Sequence, residues 1–193
     1  MDDNLYETMK KYALNNQNYK NWRKIHQNVF GNIFSSAFEE NEEAQIHLTA
    51  ALIAISQRNF KKAASMLKIL DDICFCEFDR AAVDYFTGLN YEMLEKEKKM
   101  TERYEKLLSS SVKIEVNLSF RPYYRTAKFA QRNSECSKAI YYYLKSLEFF
   151  DNAEATKQTS ASSSQILYDI ATVYMYMHEY DSAEHFLNLS VQC

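Results

Sequence analysis

The cysteines, histidines and glycines of this chain do not stand at the spacings that catalytic or metal sites require. Among 193 residues there are four cysteines, four histidines and two glycines. Cys74 and Cys76 enclose one residue, whereas redox and zinc motifs usually enclose two. His178 and His185 lie seven residues apart, a metal site would need further ligands three or four residues away on the same helix face, and Glu184 points elsewhere because it is adjacent to His185. The two glycines are too far apart for a phosphate-binding loop. We therefore expect no catalytic residue, no metal and no cofactor.

Four cationic residues form the pattern that points most clearly to binding. They follow one another at spacings of four, three and four: Arg121, Arg125, Lys128 and Arg132. On a helix they lie within about 40° of one line and make a cationic stripe. Arginine binds carboxylates through two parallel hydrogen bonds, which favours an acidic or carboxylate-ended peptide as the partner. The alternative is a solvated basic face that pairs with acidic residues of neighbouring elements.

Helices are expected to position this stripe, because the composition leaves little room for strands. The chain has two glycines and one proline, and strand-rich folds depend on such turn residues. The net charge of −3 gives no support to nucleic-acid binding. The longest apolar stretch, Leu48 to Ile55, is shorter than the roughly 20 residues that span a bilayer. We expect a cytoplasmic all-α protein that binds neither nucleic acid nor membrane.

The last segment, residues 164–193, shows the helix pattern most clearly. Apolar or small residues recur every three or four positions before a polar break at His178, and a second stripe runs from Tyr180. This spacing is typical of amphipathic helices. Because Ala171 and Ala183 are small, they allow the two helices to approach closely. The segment is predicted to form an αα-hairpin.

The same pair of stripes recurs along the whole chain. The predicted units lie near residues 3–36, 44–77, 81–114, 120–150 and 164–193. The first is the weakest, because the bulky Trp22 stands where a small residue is expected. A helix pair that recurs at a nearly constant period indicates a repeat protein, here with about ten helices.

These units resemble tetratricopeptide repeats. That family has a small residue at the eighth position of each unit, a large one at the eleventh, Ala at the twentieth and a hydrophobic residue at the twenty-fourth. The matching residues are Ala51, Ala54, Ala63 and Leu67; Gly88, Tyr91, Met100 and Tyr104; and Ala171, Tyr174, Ala183 and Leu187. The units are longer than the standard repeat of about 34 residues and lack its terminal proline. The resemblance implies one domain, residues 1–193, built as a right-handed α-solenoid of about five helix hairpins.

The resemblance also implies where a partner would bind. In tetratricopeptide proteins the exposed face of each unit's first helix lines a concave groove. In the fourth unit this face is the cationic stripe, and in the fifth the matching positions are Gln165, Tyr168, Asp169, Thr172 and Tyr176. The groove residues expected to bind the partner are therefore Arg121, Arg125, Lys128, Arg132, Tyr168, Thr172 and Tyr176.

A scaffold or adaptor that binds a protein or peptide is the function favoured by this reasoning. The alternative is the ligand- or peptide-sensing domain of a bacterial regulator, because peptide-pheromone receptors are similar in using longer units of this kind. Those receptors usually carry an N-terminal DNA-binding domain, and no helix-turn-helix segment is evident here. An enzyme would need a deep closed pocket lined by converging titratable groups.

Small residues are predicted to be buried where the two helices of a unit meet, and a larger side chain there would overpack the joint. These residues are Ala51, Ala63, Ala127, Ala139, Ala171 and Ala183.

The last helix is predicted to offer an interface between two copies of the chain. Phe186, Leu187 and Val191 have no following helix to cover them. Uncovered apolar surface usually marks an interface, and a two-fold dimer would bury it symmetrically. The alternatives are that the chain is cut from a longer array, or that helix length alone covers the face.

Two connecting segments contain residues that predict where a helix begins or a loop lies. Ser119 followed by Pro122 predicts the cap and first turn of a helix. Residues 151–164 are the most polar segment, and they predict either the longest loop or an early start of the next helix.

Overall fold

The structure is a computed structural model that describes residues 34, 36–38, 41–74, 76–112, 116–148 and 163–192. In this part of the chain all regular structure is α-helical and no strand occurs. The helices are α1 (Glu42–Ser56), α2 (Phe60–Asp72), α3 (Glu77–Met93), α4 (Glu97–Ser109), α5 (Val116–Arg132), α6 (Cys136–Leu147), α7 (Ser163–Tyr176) and α8 (Tyr180–Gln192). The all-α prediction is confirmed for these residues.

The chain divides into two compact units, Met1–Val112 and Lys113–Cys193. In the first unit α1 packs against α2, α2 against α3, and α3 against α4. In the second, α5 packs against α6, α6 against α7, and α7 against α8. The described part of each unit therefore contains two helix hairpins. The predicted unit at residues 3–36 lies almost wholly outside the described residues. The number of repeats, their handedness and the single domain stay predictions.

The four hairpins are closed by one turn geometry. Its central residue has a left-handed backbone, with φ of 58° at Arg58, 57° at Glu95, 62° at Ser134 and 62° at His178. In each turn the next residue donates its N–H to the carbonyl five residues back, over 2.7 to 3.0 Å. This is the Schellman motif, which satisfies carbonyl groups at the end of a helix. The four turns follow one another at the spacing predicted for the units, so these hairpins repeat in backbone geometry as well as in sequence.

Small residues lie where the helices of a pair meet. All six alanines that were predicted to be buried are buried, with side chains 0% to 3% exposed: Ala51, Ala63, Ala127, Ala139, Ala171 and Ala183. In the second unit, larger side chains fill the remaining space between α5, α6 and α7: Phe120, Tyr143, Ile166, Ile170 and Val173. The periodicity of apolar residues thus identified the buried faces correctly.

Helix α5 begins earlier than its sequence signals predicted. Because it starts at Val116, Ser119 lies inside the helix and is not its cap, and Pro122 also lies inside it. Pro122 is the seventh residue of α5, beyond the first N–H groups that have no partner within the helix, so it removes one bond of the hydrogen-bond ladder. At Pro122 the missing donor is the one that would reach the carbonyl of Leu118. The prediction of a cap at Ser119 was therefore wrong.

Helix α7 begins at Ser163, so the last two residues of the polar segment 151–164 are helical. The Oγ atom of Ser164 donates to the carbonyl of Ser190 over 2.6 Å, which joins the start of α7 to the end of α8. Residues 151–162, the rest of the predicted loop, lie outside the described residues.

Candidate functional site

The cationic stripe lies on the side of α5 that is turned away from its buried face. Thr126, Ala127 and Ala130 are buried. The stripe is more accessible. Arg121, Arg125 and Lys128 are half-buried, and Arg132 is exposed. The helical period separates the two faces, as the sequence predicted. Partner binding by the stripe stays a prediction.

Lys128 is bonded to a carboxylate of a neighbouring helix. Its Nζ atom lies 2.9 Å from Oδ1 of Asp169 in α7, whose side chain is only 6% exposed. Oδ2 of Asp169 accepts from the hydroxyl of Tyr124 over 3.1 Å, and Oδ1 also accepts from Nε2 of Gln165 over 3.2 Å. The ammonium lies 5.6 Å from the centre of the Tyr124 ring, within reach of a cation–π interaction. A buried carboxylate with these donors is a well-satisfied charge.

The same surroundings fix the protonation of the nearby tyrosines. Burial, and then the negative charge of Asp169, raise the pKa of Tyr124 above its usual value. Burial is also the main cause that raises the pKa of Tyr143, whose hydroxyl donates to Oε1 of Gln131 over 2.6 Å. Both hydroxyls therefore keep their protons and act as donors at neutral pH.

Helix α7 presents aromatic and hydroxyl groups beside Asp169. Tyr168 is 53% exposed and Tyr176 is 70% exposed. Thr172 is half-buried, and its Oγ1 donates to the carbonyl of Tyr168 over 2.9 Å. Two large rings are therefore accessible on this helix.

The bond between Lys128 and Asp169 brings the two sets of residues side by side. Around α5 and α7, the following residues lie within about 60° of the bonded pair: Arg121, Arg125, Arg132, Thr172 and Tyr176. We call the seven predicted groove residues the α5–α7 face, although Tyr168 lies about 100° from Asp169 around α7: Arg121, Arg125, Lys128, Arg132, Tyr168, Thr172 and Tyr176. It combines cations on one helix with tyrosine rings on the other.

Sequence reasoning left open whether the cations face a partner or pair with acidic residues of neighbouring elements; at Lys128 the structure shows such a pair, and the sequence had not identified Asp169 as the acid. It also missed Tyr124. One signal was available, because Asp169 stands between Leu167 and Ile170 on a helix that was expected to pack. A carboxylate in such a place needs a donor or a cation from another element.

The three residues predicted for self-association differ in their packing. Phe186 is half-buried, and its ring stacks on Tyr174 with centroids 5.5 Å apart and an interplanar angle of 13°. Leu187 is also half-buried, whereas Val191 is 86% exposed. Phe186 therefore stabilises its own hairpin, and Val191 offers the most surface to a second copy.

Within the described residues, no three metal-ligating side chains form a group, and no helix is long and apolar enough to cross a bilayer. Cys74, Cys76 and Cys136 are free thiols, and Cys193 lies outside the described residues. Burial raises the pKa of Cys74 to about 12, which makes this thiol a poor nucleophile.

No protein-family model matches the sequence, and no curated protein matches it either. The described fold defines the class as an all-α protein of paired helices, with the α5–α7 face as its candidate site.

Proposed function

We propose that the hairpins are divergent tetratricopeptide-like units of a right-handed solenoid, and that the chain is a scaffold or adaptor that binds an acidic peptide segment on the α5–α7 face. The shared Schellman turn and the buried alanines at matching positions support the first part. No catalytic step belongs to the proposal.

The bond between Lys128 and Asp169 is the observation that carries the proposed site. It joins α5 to α7 through a nearly buried carboxylate, so the stripe of cations and the pair of tyrosines keep a fixed spacing. A surface that is ordered before the partner arrives loses less conformational entropy on binding. The bond thus gives the α5–α7 face a structural reason to be preorganised.

The chemistry of the face suits a carboxylate-bearing peptide. Arginine side chains can bind carboxylates through two parallel hydrogen bonds. Lys128 is 28% exposed at its side chain, and an ammonium has three donors, of which Asp169 takes one. Tyr168 and Tyr176 add large, rigid contact areas with hydroxyl groups at their tips.

A binding assay with two matched double variants tests this proposal. The probe is a fluorescein-labelled peptide of alternating glutamate and leucine, and its affinity is measured by anisotropy. Arg125→Glu with Arg132→Glu reverses two charges of the face and leaves the Lys128–Asp169 bond in place. Lys61→Glu with Lys98→Glu makes the same change in net charge at exposed positions of the first unit.

We expect the first double variant to weaken binding by about tenfold or more, and the second to change it little. Affinity should also fall as salt rises, because exposed charge pairs are screened over about 10 Å at 0.1 M. If both double variants bind the probe equally well, the α5–α7 face is not the site. Circular dichroism of both variants establishes that each keeps its helices.

A further inference from the structure

A cleft of about 420 Å³ opens among α2, α3 and α4 of the first unit. Its volume falls within the range of about 300–1,000 Å³ that small-ligand sites occupy. The residues of its lining that are half-buried or exposed can touch a ligand: Ala64, Ser65, Lys68, Asp71, Tyr91 and Arg103. This cleft has no part in the function proposed above.

The acidic residue of the lining is held by two arginines. Nη1 of Arg103 donates to Oδ1 of Asp71 over 2.9 Å, and a second bond joins Nη2 of Arg103 to Oδ2 of Asp71. Nη1 of Arg80 donates to Oδ1 of Asp71 over 3.3 Å. Arg103 also donates to Oδ1 of Asp84, over 2.8 Å. Two guanidinium groups and two carboxylates thus form one network in which the charges of Asp71 and Arg103 are matched.

Lys68 brings a positive charge to the cleft from outside this network. It is exposed, and it forms no ion pair with another residue that the structure describes. A second ammonium group lies close to the lining, since Nζ of Lys99 is 5.8 Å from the centre of the Tyr91 ring. The accessible side of the cleft therefore has an excess of positive charge, which favours an anionic ligand.

The apolar contacts of the cleft come from an aromatic ring and from α2. Tyr91 of α3 is half-buried and lines the cleft. Ala64 lies one helical turn before Lys68 on α2, so their side chains share one face of that helix. The methylene groups of a lysine add apolar surface, and aromatic rings pack on one another in offset or edge-to-face arrangements. An aromatic ring is therefore a suitable apolar part for the ligand.

The cations of the lining also decide how much charge the ligand carries. Among the residues that the structure describes, Lys68 is the cation of the lining that no carboxylate holds. A carboxylate carries a single negative charge and matches it. A phosphate monoester carries up to about two at neutral pH, and the excess would lie in a cleft that also contains Asp71. A carboxylate is therefore the better match.

We propose that this cleft binds a small aromatic carboxylate, whose oxygens accept from Nζ of Lys68 and whose ring packs against Tyr91 and Ala64. A free aromatic acid and a phenylalanine at the C-terminus of a peptide share this chemistry.

Titration of the full chain followed by ¹H–¹⁵N correlation spectra tests the site. The probes are hydrocinnamate, for a free aromatic acid, and acetyl-alanyl-alanyl-phenylalanine, for the end of a peptide. Hydrocinnamamide and the C-terminal amide of the peptide are the controls, because they keep the shape and remove the charge. We expect saturable shifts of the backbone amides of residues 64–68 and 91 with at least one acid. The matching amide should bind about tenfold more weakly or not at all.

Two lysine variants test where the carboxylate binds. Lys68→Gln removes the charge in the cleft and should weaken binding of the acid by about tenfold. Lys61→Gln removes the same charge two turns earlier on α2, at an exposed position that does not line the cleft, and should leave the affinity unchanged. Circular dichroism establishes that both variants keep their helices.

Binding of one acid alone identifies the source of the carboxylate, either a free acid or a peptide end. Equal binding of acids and amides, an unaltered affinity in Lys68→Gln, equal losses in the two lysine variants, or no saturable shift with either acid would overturn the proposal.

Discussion

Gly88 leaves open the space that the ring of Tyr104 fills. A Cβ atom built on Gly88 would lie 2.4 Å from Cε1 of Tyr104. The ring cannot move aside easily, because Tyr104 is fully buried and its hydroxyl donates to Oε2 of Glu92 over 3.1 Å. These two residues stand at the small eighth position and the hydrophobic twenty-fourth position of one predicted unit. Their fit sets how closely α3 approaches α4.

Gly88→Ala should therefore destabilise the protein. Alanine is favoured over glycine in a helix by about 1 kcal/mol, but overpacking a core costs about 1–3 kcal/mol. We expect the free energy of unfolding to fall in urea titrations by up to about 2 kcal/mol, the difference between these two effects. Adding Tyr104→Leu should make the alanine substitution neutral or stabilising. A loss of equal size in both backgrounds would show that the two residues are not coupled.

The bond between Lys128 and Asp169 should contribute much more to stability than a surface ion pair. Asp169→Asn keeps the shape of the side chain and removes its charge, and we expect a loss of about 1–3 kcal/mol. Glu135→Gln is the matched control, because Glu135 pairs with Lys138 over 3.2 Å and both side chains are exposed. Such exposed pairs contribute about 0–1 kcal/mol. Chemical denaturation of both variants makes the comparison, and equal losses would contradict a special role for the buried bond.

Acid should destabilise the first unit through His47. This residue is 1% exposed, and burial lowers its pKa below 6.5, an effect that Glu43 opposes in part. Between the lowered pKa and 6.5 the unfolded chain binds the proton more readily than the folded chain. Stability is therefore complete above about pH 7 and is lost as the pH falls through this window.

Thermal melting at pH 7.5 and at pH 5.5 measures this effect of His47. We expect His47→Gln to reduce the difference in melting temperature between the two pH values. His185→Gln, at an exposed histidine, should leave that difference as it is. If both variants change it equally, the sensitivity to acid does not come from His47.

Self-association through the last helix is best tested at Val191. The substitution Phe186→Glu would also disturb the stack on Tyr174, so a change in assembly and a loss of folding could not be told apart. Val191→Glu changes a residue that is 86% exposed. If the chain dimerises there, sedimentation should show a dimer that this variant converts to the 22.7 kDa monomer. Gln192→Glu, which adds the same charge at a neighbouring exposed position, should leave the dimer intact. A monomeric wild type would exclude this interface.

The helix pairs and their buried alanines were predictable from the sequence, because both follow from periodicity over a few residues. Ala51 and Ala183 are buried because they lie on the apolar faces that the helical spacing indicated. The bond between Lys128 and Asp169 was not predictable in the same way, since it joins side chains 41 positions apart in the chain. Pro122 led to a wrong prediction of where the helix begins, because proline favours the first turn of a helix and here it is the seventh residue of α5.

The repeated turns at Arg58, Glu95, Ser134 and His178 have a consequence for how the chain folds. Each turn joins two helices that are consecutive in sequence, and the principal packing within each unit is between consecutive helices. Little loop-closure entropy is lost when such helices meet, and proteins of low contact order fold in microseconds to milliseconds. A hairpin can then form before the later residues are synthesised, so folding during translation can proceed one helix pair at a time.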